Sequence, residues 1–362
     1  MSSIDQDLNH LLKKAEGGAV LSDRELLFLL QLNKAAHLEA VFELARHLRK
    51  KHFGNEVFLY SFIYFSTYCR NDCNFCYYRR SNSEPGRYRK SKTEVLETAQ
   101  NMARSGVHLI DLTLGEDPFY YQKHGFGPLV DLVKEIKRKT ALPVMVSPGV
   151  IPGDIFTAMA EAGADWYACY QETHNRELFS QLRPHQDYDL RFHSKKRAME
   201  SGLLVEDGVM AGVGETLSDI VYSMRTMAHL RVQQARVMSF VPQKGTPMSR
   251  RPGPSREREL LIIALLRILM PHRLIPASLD VDGIGGLQAR LDAGANVITS
   301  LIPPQSGYAG VAQSTRDIDE GYRTVGGVIP ILAQMGMRAA SLESYQTWIQ
   351  DEKERLRRRF GE

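Results

Sequence analysis

The apolar residues of this chain follow one periodicity before about residue 55 and another after it. In the first part they recur every three to four residues, which is the spacing of amphipathic helices. The pattern predicts helices over residues 5–16, 26–32 and 38–50, with Ser22 and Glu25 as a capping box ahead of the second. We therefore predict an N-terminal helical extension over residues 1–54.

From residue 56 onward, short β-branched apolar runs alternate with amphipathic stretches. Eight runs predict strands over 57–65, 108–114, 143–147, 166–171, 203–211, 235–242, 274–279 and 297–302. The predicted helices between them include 92–105, 128–139, 154–162, 191–201, 217–230, 255–270 and 284–293. Eight strands alternating with helices predict an α/β fold, a parallel (β/α)8 barrel of the TIM type.

The predicted barrel domain covers residues 55–335, and residues 336–362 are predicted as a C-terminal helical segment. Helices are predicted at about 316–336 and 341–359. The charged run 351–359 is typical of a solvated helix face.

Composition narrows the class of protein. The chain has 362 residues, 43% of them hydrophobic, which is enough for one large core. Its formal net charge is +4, and its basic residues are not clustered into a block, which argues against a nucleic-acid partner. Its N-terminus is polar and no apolar run reaches the length of a membrane span, so neither a secretory signal nor a membrane partner is expected. Four cysteines, three of them clustered, argue against a disulfide framework and favour a reducing, cytoplasmic location.

Cys69, Cys73 and Cys76 have the spacing C-x3-C-x2-C, with Phe75 just before the last cysteine. Three thiolates suit zinc or an iron–sulfur cluster, but they leave a four-ligand site one ligand short. Two other interpretations are a buried cysteine stripe on a helix and a zinc knuckle completed by a histidine. The loop-like residues 70–72 and the absence of a second C-x2-C pair argue against both.

The cysteines follow the first predicted strand, which places them at the mouth of the barrel where active sites lie. The other strand ends are rich in polar residues, although each of these could simply cap the next helix. They lie in the segments 111–117, 147–149, 170–173, 206–207, 212–214, 236–243, 278–280 and 299–300. Gly212 and Gly214 are only a fragment of a phosphate-binding loop and predict no dinucleotide site.

The cysteine spacing, with its aromatic residue, resembles the signature of radical S-adenosylmethionine (SAM) enzymes. The resemblance implies one [4Fe-4S] cluster on Cys69, Cys73 and Cys76, whose fourth iron chelates SAM, and cleavage of SAM to a 5'-deoxyadenosyl radical. It also implies an electron donor such as flavodoxin or ferredoxin.

A wider set of segments resembles the methylornithine synthases, which are related to biotin synthase. The set consists of residues 65–69, 111–118, 170–173, 236–238, 242–247, 275–280 and 294–300. This resemblance implies a radical SAM isomerase, a mutase that converts L-lysine to (3R)-3-methyl-D-ornithine by fragmentation and recombination in pyrrolysine biosynthesis. Beyond the cluster and SAM, no catalytic residue is predicted.

The resemblance also implies which residues bind substrate and SAM. L-Lysine, with two ammonium groups and a carboxylate, needs acceptors and a cation, which Asp111, Asp280 and Arg236 can supply. The expected substrate-binding residues are Asp111, Arg236, Ser278, Asp280, Thr299 and Ser300. The expected SAM-binding residues are Phe75, Gly115, Glu116, Ser147, Glu172, Arg183 and Arg191. The two arginines lie in a helical stretch, where a solvated side chain is the ordinary expectation.

Two alternatives remain open. One is another enzyme similar to biotin synthase, such as a hydrogenase maturase acting on a small amino acid. Sulfur insertion itself is disfavoured, because Cys169 alone remains to build a second cluster. The other is a non-catalytic iron–sulfur or zinc scaffold, which would not need polar strand ends. Cys169 is expected to be a buried free thiol.

Overall fold

The computed structural model describes residues 3–302 and 323–360. Three helices precede the barrel, α1 (Ser3–Glu16), α2 (Asp23–Leu30) and α3 (Ala35–Phe53), as the apolar periodicity predicts. Ser22 caps α2, and Glu25 bonds back to the Ser22 backbone in the predicted capping box. The buried side of α3 includes Val41, Leu44 and Leu48.

Eight parallel strands form the barrel, and each overlaps a predicted strand. They are β1 (Glu56–Ser66), β2 (Leu109–Leu114), β3 (Val144–Ser147), β4 (Trp166–Ala168), β5 (Leu204–Ala211), β6 (Gln234–Ser239), β7 (Pro276–Ser278) and β8 (Val297–Leu301). Their order is β6-β5-β4-β3-β2-β1-β8-β7. One parallel bridge, Gln234 to Leu274, joins the two ends, so the barrel is nearly closed. The predicted fold is confirmed.

Helices cover the outside of the barrel. They are α4 (Lys92–Ser105), α5 (Gly127–Thr140), α6 (Gly153–Glu161), α7 (Arg176–Leu182), α8 (Tyr188–Glu200), α9 (Leu217–Leu230), α10 (Arg256–Leu269), α11 (Leu287–Asp292), α12 (Val325–Gln334) and α13 (Leu342–Phe360). Ser91 caps α4 in a second capping box. Helix α3 packs against the large apolar face of α10, and this contact joins the N-terminal extension to the barrel.

Four details differ from the sequence-based prediction. Helix α7 and a short π-helix, Phe119–His124, were not predicted. The predicted helix 284–293 is a 3-10 turn, Gly283–Gly286, followed by α11. A two-residue strand, β9 (Arg338–Ala339), pairs with the start of β1. Of the predicted helix 316–336, residues 316–322 lie outside the described residues and the helix begins at Val325.

The C-terminal helix is less solvated than its charge suggests. Tyr345, Ile349 and Leu356 are buried on one side of α13, and Trp348 stacks on Trp166 of β4 with ring centroids 5.8 Å apart. The buried Glu352 pairs with Arg273. Only one face of α13 is therefore solvated.

No helix of the described residues is both long and apolar enough to cross a bilayer. The division into residues 1–54, 55–335 and 336–362 stays a prediction.

The carboxyl ends of the strands meet at one rim, where the cysteine segment follows β1. Residues 67–88 form turns and irregular backbone. The alternative of a cysteine stripe on a helix is therefore wrong. The Arg87 guanidinium donates hydrogen bonds to the carbonyls of Thr67, Tyr78, Arg79 and Asn82 at 2.6–3.0 Å and so joins four points of this loop.

Candidate active site

A cavity of ≈ 220 Å³ opens at the carboxyl ends of the strands. All six residues predicted to bind substrate line it, as do Phe75 and Glu172 from the predicted SAM set. Its remaining walls are largely aromatic and thioether side chains, among them Tyr60, Tyr64, Met145, Tyr170 and Met238. A mostly apolar cavity with a few converging polar groups is the usual form of a small-molecule site.

Asp111 stands on β2 with its carboxylate in the cavity. Its hydrogen-bond partners are hydroxyl groups, with Ser147 Oγ donating to Oδ1 at 2.7 Å. Burial, assisted by the negative charge of Glu206, raises the pKa of Asp111 to about 7. A cation bound next to Asp111 would stabilise its ionised form and lower this raised pKa.

Arg236 on β6 is held from two sides. Its Nε donates to Glu206 Oε1 at 2.5 Å and its Nη1 donates to Thr299 Oγ1 at 3.0 Å. Both Glu206 and Arg236 are buried. Burial lowers the pKa of the Arg236 guanidinium, but the negative charge of Glu206 raises it by more, so the net pKa is raised. The nitrogen that no described residue engages, Nη2, can receive a ligand carboxylate.

Asp280 is the centre of a second polar group at the ends of β7 and β8. It accepts hydrogen bonds from Ser300 Oγ at 2.7 Å, Ser278 Oγ at 3.1 Å and the Arg323 guanidinium at 2.8 Å. Burial opposes ionisation of Asp280, but Arg323 and Ser300 outweigh it and hold the pKa of the carboxyl below its usual value. Unlike Asp111, this carboxylate already has a cationic partner.

The three cysteines lie beside the cavity on the loop after β1. Cys73 Sγ accepts hydrogen bonds from Gln186 Nε2 at 3.0 Å and Arg183 Nη1 at 3.3 Å. Burial and the neighbouring thiols raise the pKa of Cys69 to about 11 and that of Cys76 further. Buried thiols of this kind lose their protons to a bound metal rather than to water. The donor set fits an iron–sulfur cluster.

A zinc knuckle is a poorer fit. Within residues 3–302 and 323–360, no three His, Cys, Asp or Glu side chains are arranged to hold a metal ion. Three thiols around a cluster of four irons stand farther apart than the ligands of one ion. A zinc knuckle of these cysteines and a histidine is therefore not formed by the described residues.

Five of the predicted SAM-binding residues form two groups flanking the cysteine loop. In the first, Arg183 pairs with Glu172 at 2.8 Å and lies 5.2 Å from the centre of the Phe75 ring. In the second, Glu116 accepts hydrogen bonds from Arg70 at 2.9 Å and from the Val150 amide at 3.1 Å, and lies 3.7 Å from Arg191.

Arg183 and Arg191 are both buried, so the expectation of solvated arginines is wrong. Glu172 Oε2 and Arg183 Nε have no hydrogen-bond partner among the described residues. Buried polar atoms left without partners next to an open cavity are places where a polar ligand is expected. The first group therefore fits a polar cofactor such as SAM. Ser147, by contrast, is turned toward Asp111.

Gly115 lies where two backbone segments nearly touch. A Cβ at this position would stand 2.3 Å from the Tyr68 carbonyl oxygen and 3.0 Å from Cys69 Cβ. No side chain fits there unless the cysteine loop moves. Gly115 thus fixes the distance between the end of β2 and Cys69.

We expect Gly115→Ala to lower cluster content severalfold, because the added methyl group displaces Cys69. Iron and sulfide analysis after anaerobic reconstitution measures this, with circular dichroism to confirm the fold. Gly127→Ala is the matched control, since a Cβ there meets nothing within 4 Å. Normal iron content in Gly115→Ala would contradict the role assigned to this glycine.

The Gly212–Gly214 segment does not present free amides to a ligand. The amides of Gly212, Val213 and Gly214 all donate to the Glu215 carboxylate, at 2.7, 2.8 and 3.0 Å. The Glu215 side chain thus occupies the position that a phosphate or carboxylate ligand would take at these amides. Because these amides are already bonded to Glu215, the structure argues against SAM contacts through them.

Sequence reasoning placed Glu206 among the polar strand ends but assigned it no ligand, and it missed Arg323 and Gln186 as site residues. Glu206 could have been found from strand parity, because side chains alternate between the two faces of β5. Glu206 faces the cavity, whereas its neighbour Asp207 pairs with Lys195 at 3.4 Å outside the lining. No pattern in the sequence marks Arg323 or Gln186, which reach the site only through the fold.

Comparisons with known proteins agree with this geometry. The model of the Radical SAM superfamily matches residues 63–227. A 3-methylornithine synthase of Methanosarcina acetivorans is 43% identical over 94% of this chain and 97% of that protein. The [FeFe] hydrogenase maturase subunit HydE of Thermotoga maritima is 34% identical over 74% of this chain and 77% of that protein.

Among solved structures, the crystal structure of methylornithine synthase (PylB) has a TM-score of 0.89 and 42% sequence identity, covering 93% of this chain and 99% of that one. The chain belongs to the methylornithine synthase family of radical SAM enzymes.

Proposed function

We propose that the protein is an isomerase that converts L-lysine to (3R)-3-methyl-D-ornithine for pyrrolysine biosynthesis. The observation that carries the proposal is the charge pattern of the ≈ 220 Å³ cavity, where Asp111 stands on β2, Arg236 on β6 and Asp280 in the turn after β7. L-Lysine presents two ammonium groups and one carboxylate. Asp111 can take one ammonium group and Arg236 the carboxylate, while Asp280, which already pairs with Arg323, adds a further acceptor.

Membership of the radical SAM family implies a [4Fe-4S] cluster and SAM. Cys69, Cys73 and Cys76 would hold a single cluster, because only Cys169 remains for a second one. When bound and reduced by a donor such as flavodoxin or ferredoxin, the cluster and SAM supply a 5'-deoxyadenosyl radical. SAM would be held by the two groups flanking the cysteine loop and by Gly115, with Ser147 beside them.

The protein's own residues then position the substrate. Arg236 Nη2 would take the carboxylate, Asp111 one ammonium group, and the Ser278, Asp280, Thr299 and Ser300 group would add hydrogen bonds. A carbon-skeleton rearrangement by fragmentation and recombination needs both fragments kept in register and water excluded. Anchors on different strands of a rigid barrel supply the first requirement, and the aromatic and methionine walls supply the second.

The test is a turnover assay. Anaerobically reconstituted protein with SAM, a reductant and L-lysine should yield methylornithine, detected by mass spectrometry, and the same mixture without L-lysine should not. Release of 5'-deoxyadenosine with unchanged lysine would overturn the proposed substrate while leaving the family assignment intact.

A further inference from the structure

Glu206 has an unusual environment for a buried carboxylate. It is fully buried on β5 and lines the cavity. Its Oε1 accepts from Arg236 at 2.5 Å, but its Oε2 has no hydrogen-bond partner among the described residues. A buried acceptor without a donor costs about 1–3 kcal/mol, and more when it is charged. A buried acceptor of this kind beside a cavity is a place where a donor from a ligand is expected.

The charge balance around Arg236 indicates what that ligand group is. When the guanidinium binds a substrate carboxylate, two carboxylates share one positive charge. The excess negative charge would lie in a low-dielectric cavity, close to Asp111, whose own ionisation Glu206 already opposes. A cation at Glu206 Oε2 removes the excess. An α-amino acid carries such a cation two bonds from its carboxylate carbon.

We propose that Glu206 is a specificity-determining residue that binds the α-ammonium group of the amino acid whose carboxylate is held by Arg236. This inference rests on the proposed function and adds to it a requirement for an α-amino acid. Glu206 and Arg236 together recognise the α-amino acid head group, and Asp111 receives the distal ammonium group. Ligands with a carboxylate and a distal amine, but no α-amine, are thereby rejected.

The experiment compares three ligands on enzyme loaded with cluster and SAM but without reductant, so that nothing turns over. L-Lysine has both ammonium groups, 6-aminohexanoate lacks the α-ammonium, and L-norleucine lacks the distal one. Calorimetry or equilibrium dialysis gives each dissociation constant. Wild-type protein should bind L-lysine about 10- to 100-fold more tightly than 6-aminohexanoate, the range for one charge-assisted hydrogen bond.

In Glu206→Gln the preference for L-lysine over 6-aminohexanoate should fall to about threefold or less, because the neutral amide no longer attracts the ammonium group. The preference for L-lysine over L-norleucine should stay unchanged. Glu259→Gln is the matched control. Glu259 lines the same cavity, but Arg290 and Ser239 engage both its oxygens, so its substitution should leave both preferences intact.

Two results would overturn the proposal. One is an unchanged preference over 6-aminohexanoate in Glu206→Gln. The other is an equal loss of affinity for all three ligands, which would mean that Glu206 only supports Arg236. If Glu206→Gln does not load its cluster, Glu206→Asp decides, since it keeps the charge but withdraws it by one methylene group. Its preference should then be intermediate, and an unchanged one overturns the proposal. Wild-type protein that neither binds nor converts L-lysine would instead overturn the proposed function.

Discussion

Asp111→Asn will lower methylornithine formation from L-lysine by about 100-fold or more, the order expected when one partner of a buried charge pair is neutralised. Asparagine keeps the shape of the side chain and can still bond to Ser147. What it loses is the negative charge, and the side chains that hydrogen-bond to that charge in the free protein are hydroxyl groups rather than cations. The substrate ammonium is therefore its expected counter-ion. Turnover assays of both proteins under saturating SAM measure the effect.

The pH dependence separates this role from a structural one. Because the pKa of Asp111 is about 7, the free enzyme holds an ionised carboxylate only above that pH. In wild-type protein kcat/KM should therefore rise through about pH 7 and then level off. The rise should be absent in Asp111→Asn. Cluster absorbance should be the same in both, and loss of the cluster in the variant would mean that Asp111 is structural.

Stability should change in the opposite direction to activity. In the unfolded chain an Asp titrates at about pH 4, whereas in the fold Asp111 titrates at about 7. The stability gained by keeping this proton is complete below about pH 4 and is lost as the pH rises to about 7. Ligand-free Asp111→Asn should therefore unfold at a higher temperature than wild-type protein at pH 8, and at the same temperature at pH 4.

Asp280 serves as a contrast. Arg323, Ser278 and Ser300 already satisfy it, so Asp280→Asn would leave the fully buried Arg323 with a weakened partner. A change at Asp280 removes a ligand contact and an internal ion pair at once. Asp111 lacks the second of these, which makes it the cleaner test of substrate charge.

The barrel could be predicted from the sequence because buried parallel strands are nearly continuous apolar runs. β1 is an example, with Val57–Phe65 almost entirely apolar and buried. The same reasoning could not find β9, because a strand of two residues is too short to show a recognisable pattern of apolar and polar positions. α7 was missed because only seven residues form it, and they lie between a strand end and the next predicted helix.

Local pattern could place the site residues at the rim but could not assign their partners. Arg183 and Arg191 look like helix-surface cations in the sequence. Their burial depends on Glu172 and Glu116, which other strand ends supply. Glu116 and Arg191 are far apart in sequence, and although Glu172 and Arg183 are 11 residues apart, no periodicity shows that the chain folds back to pair them.

Cys73→Ser will abolish both the [4Fe-4S] cluster and turnover. A serine hydroxyl is a hard ligand that stays protonated, so it cannot replace a thiolate on iron. Cys169 cannot take its place, because it lies buried at the end of β4 rather than on the loop after β1. Iron analysis and the absorbance of the reconstituted protein should show no intact cluster, and no 5'-deoxyadenosine should form.

The variant should remain folded. The loop that carries the thiol is held by hydrogen bonds from the Arg87 guanidinium and by the ion pair between Arg80 and Asp72 at 2.6 Å, and the Cys73 thiol takes part in none of these contacts. Its circular dichroism and unfolding temperature should match those of iron-free wild-type protein. Cys169→Ser is the control and should keep a full cluster and full turnover. If Cys73→Ser assembled the cluster, or if Cys169→Ser lost it, then the three cysteines of the loop would not be the ligand set.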